Sequence, residues 1–205
     1  MSAEPARRLV LLRHGQTSWN AERRVQGQHD SELDDTGHRQ AAAAAVALAA
    51  LAPSVLWSSD SARARQTAAY VAKETGLEPS YDARLREYYL ADWQGLTHAD
   101  LQDTPGFEEF LRGDFDVVPG GETAAEVSAR VVAALADLLD AIAPGELAVA
   151  VSHGAAIRDA VPVLLGWPVT ERAALHGLTN CGWVELDRAG DGPMRLRAYN
   201  RVAPD

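Results

Sequence analysis

Two short stretches have the composition of a reacting site. Arg13-His14-Gly15 directly follows the apolar run Leu9-Val10-Leu11-Leu12. Ser152-His153-Gly154 directly follows Leu147-Ala148-Val149-Ala150-Val151. Each run reads as a buried strand, and each polar triplet falls where that strand ends. In an open α/β sheet, ligands bind beyond the carboxyl ends of the strands. The pattern predicts two histidines facing one pocket that holds a phosphoryl group. In that scheme His14 attacks phosphorus through a neutral ring nitrogen, and Arg13 and Arg63 grip the phosphoryl oxygens. His153 donates a further hydrogen bond. Neighbouring guanidiniums lower the pKa of His14 and keep it unprotonated. Uncatalysed phosphate-monoester hydrolysis is so slow that the barrier must fall by on the order of twenty kcal/mol. A nucleophile, charge stabilisation and a proton donor are therefore all needed. The scheme calls for no metal and no other cofactor. Gly15, lacking a side chain, is expected to let a substrate approach the backbone.

The elements that must position these groups alternate between strand and helix. The first strand is expected over 7–12, followed by a polar loop with a short helix over the pocket mouth. Thr36 is the expected N-cap of a helix that runs through the alanine stretch and stops before Pro53. Val55-Leu56-Trp57 reads as a second strand, and Ser58, Ser59 and Asp60 as candidate caps of a helix ending at Gly76. That helix carries Arg63 in its first turn, where free N–H groups already favour an anion. Residues 79–82 suggest a short edge strand, and 96–118 short helices broken at Pro105-Gly106 and Gly113. Thr123 and Glu126 match a capping box. Val127, Val131, Leu135, Leu138 and Ile142 then follow at helical spacing. After the second histidine-bearing strand comes a helix that Pro162 should kink or shorten, and strands close the chain over 182–186 and 194–199. The expected fold is a three-layer α/β/α sandwich, with a mostly parallel central sheet and helices on both faces.

At 205 residues the chain fits one domain spanning 1–205, and its composition, 47% hydrophobic and 23% charged, is that of an ordinary globular protein. The alanine-rich stretch 40–53 is too short to span a bilayer. The apolar run after Arg7 and Arg8 is likewise too short for a secretory leader. Cys181 is the only cysteine, which suits a reducing compartment, and a cytoplasmic location is expected. A net charge of −10 argues against nucleic acid or an anionic membrane as partner. It also repels anionic substrates at long range, so basic residues must converge locally. Apart from Lys73, every cationic residue is arginine, whose planar fork can bond two phosphate oxygens at once.

Leu12-Arg13-His14-Gly15-Gln16-Thr17 followed by Trp19-Asn20 resembles the signature of the histidine phosphatase superfamily, also called phosphoglycerate-mutase-like. Ser58-Ser59-Asp60 with Arg63 and Thr67-Ala68, Leu85-Arg86-Glu87, Gly121-Glu122-Thr123 and Ser152-His153-Gly154 match further pieces in order. The resemblance covers nearly the whole chain. It implies a phosphohistidine intermediate at His14, and it implies that Glu87 protonates the leaving alcohol and then deprotonates water. Such an acid needs a raised pKa, which a bound phosphate dianion would supply. Thr17, Asn20, Gln26 and Gly27 fall at positions that bind substrate in relatives. Glu122 is left out of the catalytic set, as a residue that only starts its helix. His29, His38, His98 and His176 lack metal-ligand spacing and are expected on surface or loops, while Trp19 and Trp93 are candidate pocket walls.

The superfamily includes mutases as well as phosphatases. In the cofactor-dependent phosphoglycerate mutases the stretch after the acid is longer and rich in basic residues. Here Arg112 is the only one between Glu87 and Gly121, which favours hydrolysis of a small phosphate ester. Gln16, Gln26-Gly27-Gln28, Leu85-Arg86-Glu87 and the run 92–98 most resemble the glucosyl-3-phosphoglycerate phosphatase branch of actinobacteria, with a broad-specificity phosphatase or an α-ribazole-phosphate phosphatase as the main rival. A module that recognises phosphate without catalysis would be expected to have lost His14 or Glu87, and both are present. A homodimer is expected from the resemblance alone.

Overall fold

The computed structural model describes residues 4–204; the outermost residues of the expected 1–205 domain lie outside the described residues. Six strands form one sheet: β1 (Arg7–Arg13), β2 (Val55–Ser58), β3 (Ser80–Tyr81), β4 (Leu147–Ser152), β5 (Trp183–Arg188) and β6 (Arg195–Arg201), in the order β3-β2-β4-β1-β5-β6. The pairs β3/β2, β2/β4 and β4/β1 are parallel, and β1/β5 and β5/β6 are antiparallel. Five of the six strands therefore run the same way, and the sheet is mostly parallel. β1 and β4 sit in its middle, in a register that sets Arg13 opposite Ser152. That one pairing brings the two histidine triplets side by side.

Helices cover both faces. The side chains of β1 alternate: Val10 and Leu12 pack with α2 (Asp35–Ala49) and α3 (Ala62–Thr75), while Leu9 and Leu11 pack with α6 (Ala124–Asp140) and α7 (Gly154–Leu164). All four are at most 1% exposed, and each contributes roughly 1.5–3 kcal/mol by leaving water. The capping box at Thr123 and Glu126 forms as expected, and Gly76 ends α3 with φ +74°. Pro162 lies inside α7, which stops two residues later at Leu164. Among the described residues no helix is long and apolar enough to cross a membrane.

Three local expectations are corrected. The cap of α2 is Asp34, whose Oδ1 accepts from Gly37 N at 2.8 Å, and Thr36 lies inside the helix. The cap of α3 is Ser61 rather than Ser58, Ser59 or Asp60. Ser61 makes no capping bond, and the free amide of Ala62 is instead met by Asp30 Oδ1 at 2.5 Å. Gly15 serves packing: a Cβ there would lie 2.5 Å from the carbonyl oxygen of Gly37, so the missing side chain admits the first turn of α2 rather than a substrate.

Candidate active site

A cavity of about 560 Å³ opens at the carboxyl ends of β1 and β4. Arg13, His14, Arg63 and Glu87 line its inner part, with Asn20, Gln26 and Gly27 beside them. His14 is 3% exposed. Its Nδ1 lies 2.7 Å from the Gly15 carbonyl oxygen, which can only accept, so Nδ1 carries the proton. The other nitrogen, Nε2, therefore presents its lone pair. Arg63 Nε–H faces that lone pair at 3.2 Å. Burial, then the charges of Arg63 and Arg13, push the imidazole pKa well below 6.5. The ring is neutral at neutral pH.

Arg63 stands in the first turn of α3. Its Nη1 and Nη2 donate to the carbonyls of His29 at 2.8 Å and Gly27 at 2.7 Å. Burial lowers its pKa to about 10, so it remains a cation. Thr67, one turn later, accepts from Gly15 N at 3.1 Å and donates to the Arg63 carbonyl, which ties α3 to the end of β1. Arg13 donates through Nη1 to the Leu178 carbonyl and keeps a buried, unpartnered Nε. Gly154 leaves room for it, since a Cβ there would meet Arg13 Nε at 3.2 Å.

His153 is completely buried, its ring centroid 5.2 Å from that of His14. Unlike His14 it does not line the cavity, so the expectation that both rings face the pocket holds for His14 alone, with His153 packed directly behind it. Its Nε2 is 2.9 Å from Ser59 Oγ and 3.3 Å from Ser61 Oγ, while its Nδ1 has no partner. Burial, followed by the charge of Arg63, holds its pKa well below 6.5. Glu87 sits at the start of α7, where Oε2 accepts from Ala155 N at 3.1 Å and Oε1 from Ala156 N at 3.0 Å. Free amides at a helix N-terminus supply such donors.

The remaining expected residues divide. Asn20, Gln26 and Gly27 reach the cavity, whereas Thr17 is fully buried behind it. Thr17 caps α1 (Ser18–Ala21) and its Oγ1 donates to Gln26 Oε1 at 3.0 Å. It orders the loop rather than lining the cavity. Trp93 packs in the core against Phe110, and Trp19 stacks on His29; neither is a wall. His98 and His176 do line the outer part, although nothing in their sequence neighbourhood marks them.

Arg24 and Arg158 also reach the cavity, so basic residues beyond Arg112 arrive from outside the segment after Glu87. They are not free cations. Arg24 pairs with Glu22 at 3.1 Å and Arg158 with Asp159 at 2.7 Å. Asn180 is a residue the sequence reading missed: its Nδ2 donates to the His14 carbonyl and to Asn20 Oδ1, both at 3.2 Å. It gets there because β5 runs antiparallel to β1, which sets the start of one strand beside the end of the other.

The chain resembles known proteins over nearly its whole length. Residues 9–201 match the model of the histidine phosphatase superfamily (branch 1). The chain is 43% identical over 190 residues to glucosyl-3-phosphoglycerate phosphatase of Mycobacterium tuberculosis, covering 88% of this chain and 85% of the relative. It is 36% identical over 182 residues to a probable phosphoglycerate mutase, GpmB, of Salmonella paratyphi C, covering 87% and 84%. Among solved structures, mycobacterial glucosyl-3-phosphoglycerate phosphatase in complex with VO3 superposes with a TM-score of 0.86 at 40% identity, covering 95% of this chain and 99% of that one. A neutral histidine among buried arginines at the edge of a mostly parallel sheet thus has its place: the chain belongs to the histidine phosphatase superfamily, and it is a phosphatase acting on a small phosphorylated substrate.

Proposed function

We propose that this phosphomonoesterase works through a phosphohistidine on His14. The observation that carries the reading is the Nδ1–H···O=C bond to Gly15, which leaves Nε2 as an unprotonated lone pair on the cavity floor. Nε2 attacks phosphorus, and the bond from phosphorus to the ester oxygen breaks. The leaving oxygen takes its proton from the Glu87 carboxyl group. Water then attacks phosphorus, loses its proton to the Glu87 carboxylate, and the P–N bond breaks to free inorganic phosphate. Arg13 and Arg63 bind the phosphoryl oxygens and offset the charge that develops on them. A hydrogen bond donated by the Ser59 hydroxyl to His153 Nε2 places the ring proton on Nδ1, one more donor toward the phosphoryl group. The Gly15 carbonyl stabilises the positive ring formed when His14 is phosphorylated. Asn20, Gln26 and Gly27 bind the substrate nearest the phosphoryl group, and Thr17 holds Gln26 in place.

For substrate, we assign glucosyl-3-phosphoglycerate. The relatives of that name support it, as does a cavity much larger than a phosphate group requires. Its outer wall mixes Phe110, Phe115 and Leu175 with Arg158, His98 and His176, a combination suited to a sugar joined to an acid. A buried lone thiol at Cys181 suits work in the cytoplasm. The test is phosphate release from a panel of phosphorylated metabolites that includes glucosyl-3-phosphoglycerate, in the presence of a chelator. His14→Ala should abolish release, and activity surviving that change would refute the nucleophile. Efficient interconversion of 3- and 2-phosphoglycerate with a bisphosphate primer, without net hydrolysis, would refute the choice of hydrolysis over transfer.

A further inference from the structure

The peptide that carries Glu87 belongs to no helix or strand: residues 86–90 have no regular structure. Its backbone groups therefore lack ladder partners and must be satisfied in another way. One ion pair satisfies three of them, the carbonyls of Arg86 and Glu87 and the amide of Tyr89, which flank the Glu87 side chain on both sides. Arg130, on α6, donates through Nη1 to the carbonyls of Arg84 at 2.9 Å and Arg86 at 2.6 Å, and through Nη2 to the Glu87 carbonyl at 2.9 Å. Its Nε and Nη2 each bond the Glu122 carboxylate at 2.8 Å. Glu122 Oε2 in turn accepts from Tyr89 N at 2.7 Å and from Gln28 Nε2 at 3.2 Å. Gln28 Nε2 also donates to the Glu87 carbonyl at 3.1 Å. Glu122 is therefore not a helix starter, since Thr123 caps α6.

We infer that Glu122 and Arg130 are a positioning pair for the proton carrier, a clasp that fixes the main chain on both sides of Glu87 so that its carboxyl group meets the leaving oxygen. The two side chains are 23% and 19% exposed, close enough to solvent to avoid the full cost of burying charge yet shielded from most screening. The carboxylate is held from the front by two amides of α7, and the clasp holds the peptide from behind. An error of about 1 Å in a reacting group can cost about 100-fold in rate. This inference rests on the reading of Glu87 given above.

The test compares phenyl phosphate with para-nitrophenyl phosphate, similar in shape but different in leaving-group basicity. The phenoxide needs a proton as it departs, and the far less basic nitrophenoxide needs little help. The measured quantity is kcat/KM, which reports on steps up to departure of the leaving group. Glu122→Gln should lower kcat/KM for phenyl phosphate roughly 10–100-fold more than for para-nitrophenyl phosphate. Arg130→Lys, which keeps the charge but not the fork, should lower it selectively but by less, and guards against a variant that fails to fold. Equal losses on both substrates, or no loss, would overturn the positioning role. Glu87→Gln serves as reference. If it discriminates between the substrates and the clasp variants do not, only the clasp falls; if Glu87→Gln does not discriminate, the proton carrier falls with it.

Discussion

Two buried histidines make the stability of this protein depend on pH in a calculable window. His14 and His153 both have folded pKa values well below 6.5, burial being the first cause and neighbouring arginine charge the second. Each binds its proton in the unfolded chain at a higher pH than in the folded one. The unfolded state therefore holds more protons as pH falls below about 6.5, and stability declines on the acid side. A group that stays neutral when folded loses about 1.4 kcal/mol for each pH unit below its unfolded pKa. Between about pH 7.5 and 5.5 this comes to roughly 1.4 kcal/mol per histidine, about 2.7 kcal/mol for the pair. The depressed carboxylates Asp34, Asp60 and Asp82 titrate lower and add little in this window. Urea unfolding at the two pH values and constant ionic strength measures the difference. His153→Asn should remove close to half of it and the double variant with His14→Asn the larger part, with His98, also lowered by burial and by the charge of Arg23, keeping a smaller share, whatever these changes do to stability at neutral pH. A double variant with the pH dependence of the parent would refute the claim that these rings are buried uncharged. Inorganic phosphate should reduce the effect, because a bound anion favours the protonated ring.

Two further outcomes follow from contacts described above. Arg63→Lys keeps a cation but cannot reach His14, Gly27 and His29 at once; kcat/KM for an aryl phosphate should fall about 100-fold or more, and a loss below tenfold would argue against the phosphoryl role. Gly15→Ala drives a Cβ to 2.5 Å from the Gly37 carbonyl oxygen, which is main chain and cannot swing away. The strain should cost about 1–3 kcal/mol, seen as a fall of roughly 2–4 °C in Tm per kcal/mol, and an unchanged Tm would show that α2 can shift freely.

The floor of the site was legible in the sequence because it depends on short-range order. An apolar run followed by Arg-His-Gly or Ser-His-Gly fixes where the strand ends. Two such parallel strands must then deliver their polar ends to the same edge of the sheet. Arg63 was legible for a similar reason, as a first-turn residue of a helix that follows a strand. What escaped depends on partners far along the chain. Asn180 reaches His14 only because β5 is antiparallel to β1, and nothing near residue 180 announces that direction. Glu122 looked like part of a helix start because its neighbours Thr123 and Glu126 form a true capping box; its tie to Arg130 and Tyr89 appears only in three dimensions. His98 and Arg158 enter the cavity through the folding of 98–118 against α7, a stretch with too little periodicity to be placed by pattern. Ser61 caps α3 in place of the three candidates before it, and Asp30, from a distant loop, satisfies the exposed amide at that end.

The cavity has two unequal halves. Its reacting end rests on the two central strands, locked in parallel register between helical layers. Its outer wall is carried largely by the end of α5 (Phe107–Leu111), the segment 112–115 that follows it and residues 173–178, with His98 of α4 (His98–Leu101), short or irregular pieces with little stability of their own. Substitutions there can reshape what is admitted while leaving the bond-breaking apparatus and the foldedness of the molecule nearly untouched. Such a division lets one scaffold diversify its choice of ester over evolutionary time without having to reinvent phosphoryl transfer.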